Sequence, residues 1–507
     1  IQVIDGGDGQ FNPSDYILFY ANGPHTIKKD SINKGFTHTF NIYSESSYYF
    51  LNFDLGIGKR IQNATNPSTS NTTVNSFNEF QFIEKDSSNP GKFGKTWWGD
   101  EFSDQPGRYL SRNYNFNIPS IDPTAPVSVR TRFGAISFSG INLMEITANG
   151  QPLYSSNINS VGSSYSDPVT NSVDLIENFS STSPTINIGI KFTKGSSTAS
   201  GYLDFLEINA RRNLSFKGYL NFADWNTVGA GNIANYQIQN ANANTQVWDI
   251  TNPLLPIKMT TILTGSTLSF NQDASSLHRF IALDGSQTSV PSFIEKTSNQ
   301  NLHAYTPKDY IIISHPSLKN QAEALAAHHL SKRNVKFLIV TPQEIYNEFS
   351  SGSQDISALR DFLKMYYDRA SINDIPKYVL LFGDASYDFK NRVKNNTNLV
   401  PSYQTAESND KIFGYCTDDF FGFLDDSEDI NNFDTGHINT LDIGIGRIPA
   451  VGESSAAAIV NKIINYDSPN SFGPWKNSMT FNADDEDDGI HLDDGEIMSK
   501  FATDSLP

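Results

Sequence analysis

Near residue 300 the spacing of apolar residues changes from short alternating runs to strands that alternate with helices, and that change limits what the chain can fold into. Before it, alternating or aromatic runs at 15–21, 36–43, 46–53, 127–133, 185–192, 202–208 and 280–283 sit between clusters of Gly, Pro, Asn and Ser. Short strands at that spacing build sandwiches or barrels. The stretch 120–212 reads as one self-contained β-sandwich, entered through the Pro-rich segment 118–126 and carrying Asn149-Gly150 as a hairpin turn. The flanking pieces, 1–119 and 213–300, read as two parts of an N-terminal β domain that the sandwich interrupts.

From 301 to 507 the pattern is that of a doubly wound α/β domain. DYIIIS at 309–314 is a continuous apolar run, as a parallel strand buried on both faces requires. A helix is predicted over 318–332, with Leu318, Ala322, Leu325, Ala326, His329 and Leu330 on one face. Strands follow at 336–340, 378–382, 441–445 and 478–482. Further helices follow at 342–349, 355–369 and 453–466. The expected fold is therefore multidomain, a β-rich half followed by an α/β domain that is incomplete at its C-terminus. Five strands leave a sheet edge uncovered, so the chain is expected to continue past Pro507. Ligands of such sheets bind beyond the carboxyl ends of the strands. Those ends are His315, Asp384 and the pair Asp484 and Asp485.

Charge and cysteine content remove several classes of function. The 507 residues carry a net charge of −18, of which −4 falls in the first 300 residues and −14 in the last 207. An acidic domain of this kind repels phosphate backbones, which excludes nucleic acid as a partner. The lone Cys416 leaves no disulfide framework, cysteine zinc site or CxxC pair. No apolar run reaches the roughly 18 residues of a membrane span. Ile1 is not preceded by a basic-then-apolar leader, so a signal peptide is expected upstream. Abundant Asn, Ser and Thr beside only 18% charged residues suit an exported protein.

Local motifs offer candidates, each with a plainer alternative. Asp484, Glu486 and Asp488, ahead of Gly489, resemble the start of a calcium loop. Glu486 departs from the usual third ligand and Glu496 falls one residue late, so a solvated charged loop is the alternative. Asp418, Asp419, Asp425, Asp426, Glu428 and Asp429 surround Phe420, Phe421 and Phe423, either as a cation site or as a solvated loop with an apolar anchor. Cys416 as a nucleophile would need His437, His315 or His491 as its base. A packed, inert thiol is the alternative. His328 and His329 are about 100° apart on a helix and chelate no common metal, His329 being expected in the core and His328 in solvent. Gly94-Lys95-Thr96 lacks the rest of a phosphate loop. Trp97 and Trp98 read as exposed, which with the sandwich allows a carbohydrate-binding surface.

Two groups of motifs go further. One comprises DYIIISHPSLKNQAEALAAHHL, KFLIVTPQEIYNEFSSG and DISALRDFLKMYYD. The other comprises YVLLFGDASYDFK, NLVPSYQT, YCTDDFFGFLDD, LDIGIGRIPA, VNKIINYD and NADDEDDGIHLDD. Together they resemble the gingipain-type cysteine peptidases of clan CD, family C25, and in detail the sortases of the type IX secretion system in Bacteroidetes. DYILFYANGPH, NIYSESSYYFL, LDFLEINARRNL and VWDITNP extend the resemblance over the β-rich half.

The resemblance implies a cysteine endopeptidase and transpeptidase at the cell surface, peripheral on the outer face of the outer membrane. Such an enzyme removes the C-terminal targeting domain of secreted cargo and joins the new carboxyl end to anionic lipopolysaccharide. The implied partners are the outer-membrane barrel PorV, with PorQ and PorZ. No cofactor is required, and calcium is allowed at the acidic loop. The family's catalytic His, in a Gly-His-Gly turn, and its Cys, at the end of the next strand, both follow the DDED segment. No Gly-His-Gly occurs here and Cys416 is misplaced, so the pair is expected outside these 507 residues. Asp484, or Asp485, matches the family's acidic residue that orients the imidazole. The alternative function is a catalytically inactive scaffold subunit of an outer-membrane secretion complex.

Overall fold

The computed structural model describes every residue except 9, 54, 57, 305, 433–435, 437, 485–486 and 506–507, and only the backbone of Asp487. Two β-sandwiches and a parallel α/β layer follow one another along the chain, with one sandwich nested in the other. The nested sandwich pairs a sheet ordered Asn171–Phe179, Val127–Ile136, Ser200–Asn213, Ser76–Glu84 with a sheet ordered Gln151–Asn159, Ile141–Ala148, Thr185–Thr193, Ser111–Asn117. Alternate residues of Val127–Ile136 point inward, as a strand with one buried face requires. Phe116, Phe133, Met144, Ile188, Phe192 and Leu206 fill the space between the sheets. Asn149 and Gly150, at φ of 49° and 79°, make the tight turn between two of the strands.

The edge expected at residue 120 lies inside this sandwich. The Pro-rich segment 118–126 is the crossing from one sheet to the other, not a linker, and it buries Ile118 and Ile121 in the core. The outer unit is a second sandwich. Its strands Gln62–Asn63 and Thr72–Val74 precede the nested one, and those between Tyr219 and Leu283 follow it. Phe222, Tyr236, Phe270 and Phe280 stack at its centre with ring centroids 5.0–5.9 Å apart. The chain is thus a β-rich half interrupted by a sandwich, as its periodicity predicts.

Trp97 and Trp98 are buried, 3% and 4% exposed, which removes the exposed-aromatic argument for carbohydrate binding. Trp98 packs edge-on where Gly134 has no side chain; a Cβ there would meet the ring at 2.5 Å. Trp97 stacks on Tyr387 of the α/β domain.

In that domain the strands Tyr310–Ser314 (β1), Phe337–Val340 (β2), Tyr378–Phe382 (β3) and Gly444–Ile448 (β4) form one parallel sheet in the order β2-β1-β3-β4. Helices Lys319–Arg333 (α1), Pro342–Phe349 (α2), Ile356–Arg369 (α3) and Glu453–Tyr466 (α4) cover it on both sides. Ile311, Ile313, Val379 and Leu381 face α2 and α3, while Ile312, Leu380 and Phe382 face α1 and α4. That division explains why the central runs Ile311–Ile313 and Val379–Phe382 are apolar without a break. Thr341 and Glu344 form a capping box at the start of α2, and Asp355 caps α3.

Three local expectations fail. The segment 478–482 forms no strand, with Met479 and Phe481 65% and 39% exposed, and among the described residues nothing pairs with the far edge of β4. β4 starts at Gly444 instead of 441, because the Asp442 N–H donates to the Gly422 carbonyl and pairing with the neighbouring strand begins only at the Gly444 N–H, which donates to Lys377. On α1, His328 is the covered histidine, its ring 2.8 Å from Asp467, while His329 is half-buried beside Arg333 and Leu330 is exposed.

Candidate functional site at the strand ends

The carboxyl ends of β1, β3 and β4 meet at one edge, where the backbone leaves each strand through a hydrogen bond to its neighbour. The His315 N–H donates to the Phe382 carbonyl, Gly383 N–H to Ile448 and Asp384 N–H to Ala450. The His315 imidazole caps a short turn through Ser317, and burial holds its pKa below the ordinary value. Asp384 accepts the Thr397 hydroxyl at 2.5 Å, closing the loop 384–399 on itself. Of the strand-end residues expected from the sequence, His315 and Asp384 are therefore at this edge, whereas Asp484 follows a segment that forms no strand and Asp485 lies outside the described residues.

Arg447, at the end of β4, organises it. Its guanidinium donates to both carboxylate oxygens of Asp418, at 2.7 and 2.8 Å, and to the carbonyls of Gly383 and Val400 at 2.7 Å and of Pro401 at 3.3 Å. One side chain thus ties together the loop after β3, the segment 400–401 and the acidic segment 416–429. A planar fork with five donors suits that task and an ammonium does not.

The second acidic patch is held by turn chemistry and ion pairs. Asp418 takes Arg447, Asp426 pairs with Lys364 at 3.0 Å, and Glu428 accepts the N–H groups of Asp425 and Thr440. Phe421 and Leu424 anchor the segment in the core beneath α3. This favours the anchored-loop reading of the patch.

Cys416 is exposed on a two-residue strand paired with Gln404, which corrects the expectation of a packed thiol. A strand that short covers neither face. Among the described residues no histidine hydrogen-bonds to Cys416; His437 lies outside them. Asp484 is exposed and lines an open pocket with His491, Asp494, Phe481 and Met498, ahead of the helix Ile490–Ser505 (α5). Asp485 and Glu486 lie outside the described residues, and Asp488 is exposed. Among the described residues no three His, Cys, Asp or Glu side chains are placed to hold a metal ion. The described residues thus do not by themselves make a calcium site.

The β-rich half reaches this edge through the loop 384–399. Asp388 is fully buried and accepts the Val393 N–H at 2.6 Å and Arg392 Nε at 3.0 Å. Arg392 crosses to the other half, where it lies 3.4 Å above the Trp97 ring and 3.3 Å from Asp86. Burial, with Glu84 nearby, pushes the Asp86 carboxyl up to about 7 against the pull of Arg392. Farther along, Asn409 accepts the N–H and hydroxyl of Thr170, and the Thr96 N–H donates to Ser408. Arg447, Asp388 and Arg392 were not singled out from the sequence. The available signal was a charged residue inside the otherwise apolar IGIGRIPA.

Residues 303–507, which make up the α/β unit, match the model of peptidase family C25. The whole chain has the fold seen in the crystal structure of dimeric latent PorU from Porphyromonas gingivalis, with a TM-score of 0.78 and 24% identity over 94% of this chain and 46% of that one. The chain thus spans just under half the length of that protein. The Cry8Ea1 δ-endotoxin of Bacillus thuringiensis matches 19% of this chain and 18% of its own at 17% identity. A carbohydrate-binding module, CBM36 with calcium and xylotriose, matches 25% of this chain and 98% of its own at 16% identity. Both have TM-scores of 0.15, too low to carry an argument. No curated protein matches the chain. Among the described residues no helix is long and apolar enough to cross a membrane.

Proposed function

We propose that this chain belongs to a cell-surface sortase of the type IX secretion system. It would cleave the C-terminal targeting domain from secreted cargo and transfer the new carboxyl end to anionic lipopolysaccharide. The supporting observation is the pairing of a C25-type domain with a strand-end edge braced by Arg447 and by the β-rich half. In this reading the nucleophilic Cys and basic His lie outside these 507 residues, Asp484 orients the His, and Cys416 takes no part. PorV, PorQ and PorZ are the partners proposed at the outer face of the outer membrane. Calcium would add at the acidic loop of Asp484, Glu486 and Asp488, and a melting temperature unchanged by calcium titration overturns that point. The polypeptide 1–507 should hydrolyse no cargo or peptide; hydrolysis by it would overturn the reading that Cys416 takes no part.

A further inference from the structure

Asp86 is an acid buried where the two halves of the chain meet, its side chain 4% exposed, and the cations around it are committed elsewhere. Arg392 gives its Nε to the fully buried Asp388 and reaches Asp86 Oδ2 only through Nη1, at 3.3 Å. Charge-assisted pairs usually close to about 2.7–2.9 Å. The remaining nitrogen, Nη2, is buried without a partner. Lys390, on the same loop, is 2.5 Å from Glu45 and lies over the Phe40 ring. The other neighbours are acids: Glu84, itself bound to His38, and Asp204, bound to Arg132. An anion at Asp86 would thus be buried among acids with one long contact in compensation. A proton is the partner that costs least.

We propose that Asp86 is a proton-operated latch between the β-rich half and the loop 384–399, closed while Asp86 carries its proton and loosened when the proton leaves to solvent. The sign follows from linkage. The closed state holds the proton up to about pH 7, whereas an opened, hydrated Asp86 releases it near its ordinary value, so rising pH favours opening across that window. The loop that is freed carries Thr397, which closes on Asp384 at the strand ends. Proton release at the domain junction would therefore reach the strand-end edge.

Hydrogen exchange of the segment 386–398 in the whole chain, at about pH 5 and about pH 8 and corrected for intrinsic exchange, tests this. Protection should fall roughly a hundredfold at the higher pH while α3 is unchanged. Asp86→Asn, which is neutral at both values, should stay protected at both. Equal protection of the wild type at the two values overturns the proposal, even if the variant does not fold. A step shared by α3, or a step retained in Asp86→Asn, also overturns it. So does loss of protection in Asp86→Asn at the lower pH, the outcome an ordinary Asp86–Arg392 salt bridge demands.

Discussion

Arg447 grips Asp418 with two nitrogens, at 2.7 and 2.8 Å, and gives its remaining donors to the backbone that leaves β3. Both side chains are largely covered, 13% and 21% exposed, so the pair is sheltered from the screening that weakens surface pairs. Removing one partner leaves a poorly solvated charge and several carbonyls without donors. Arg447→Ala should therefore cost about 3–5 kcal/mol in denaturant unfolding. Arg447→Lys should recover little of that, because an ammonium cannot reproduce the fork. Full recovery by lysine would mean that charge alone suffices.

Gly134 and Trp98 make a second close pair, with no room for a methyl group between them. Gly134→Ala should destabilise the chain by about 1–3 kcal/mol through overpacking. Adding Trp98→Phe should return part of the loss, since a smaller ring frees the space. A neutral Gly134→Ala variant would show that the sandwich yields at this point.

His38 sits between Glu207 and Glu84, with its ring nitrogens 2.6 and 2.5 Å from their carboxylates. Burial pulls its pKa down, but the hydrogen bonds to Glu207 and Glu84 outweigh burial and hold it up at about 9. A histidine whose folded value is raised lends stability that is fully present below its ordinary value of about 6.5 and is lost as pH rises through the folded value. The urea midpoint should therefore fall between pH 7 and 9, and His38→Gln should flatten that fall. An equally steep fall in His38→Gln would place the titration elsewhere.

Cys416 is exposed, and among the described residues no hydrogen bond activates it. In the native chain it should react with a small disulfide reagent at the rate of an ordinary surface thiol. Cys416→Ser should change stability by no more than about 0.5 kcal/mol. A thiol that reacts only after unfolding would contradict the exposed position.

Much of the fold is written locally. The unbroken apolar runs YIIIS and YVLLF mark parallel strands because both faces are covered, and the β-rich half is legible in its alternation. What could not be read depends on partners far along the chain. Trp97 is covered by Tyr387 and Arg392, and Arg392 meets Asp86, 306 residues away. The segment 118–126 has the composition of a linker, yet Ile118 and Ile121 are drawn into the core by strands on both sides. On α1, the choice between His328 and His329 was settled by Asp467 at the end of α4, which no local periodicity encodes. At the strand ends, His315 and Asp384 were legible from the rule that ligands gather there. Arg447, which braces that edge, belongs to a strand that registers only once the sheet is assembled.

The sortase reading is tested most directly by the intact mass of a cargo protein, carrying its C-terminal targeting domain, after incubation with the full-length protein and an amine or anionic lipopolysaccharide acceptor. The predicted result is one cut ahead of the targeting domain, with the mass of the acceptor added at the new carboxyl end. Cargo of unchanged mass, with the protein still bound to it, would contradict the account and favour the scaffold.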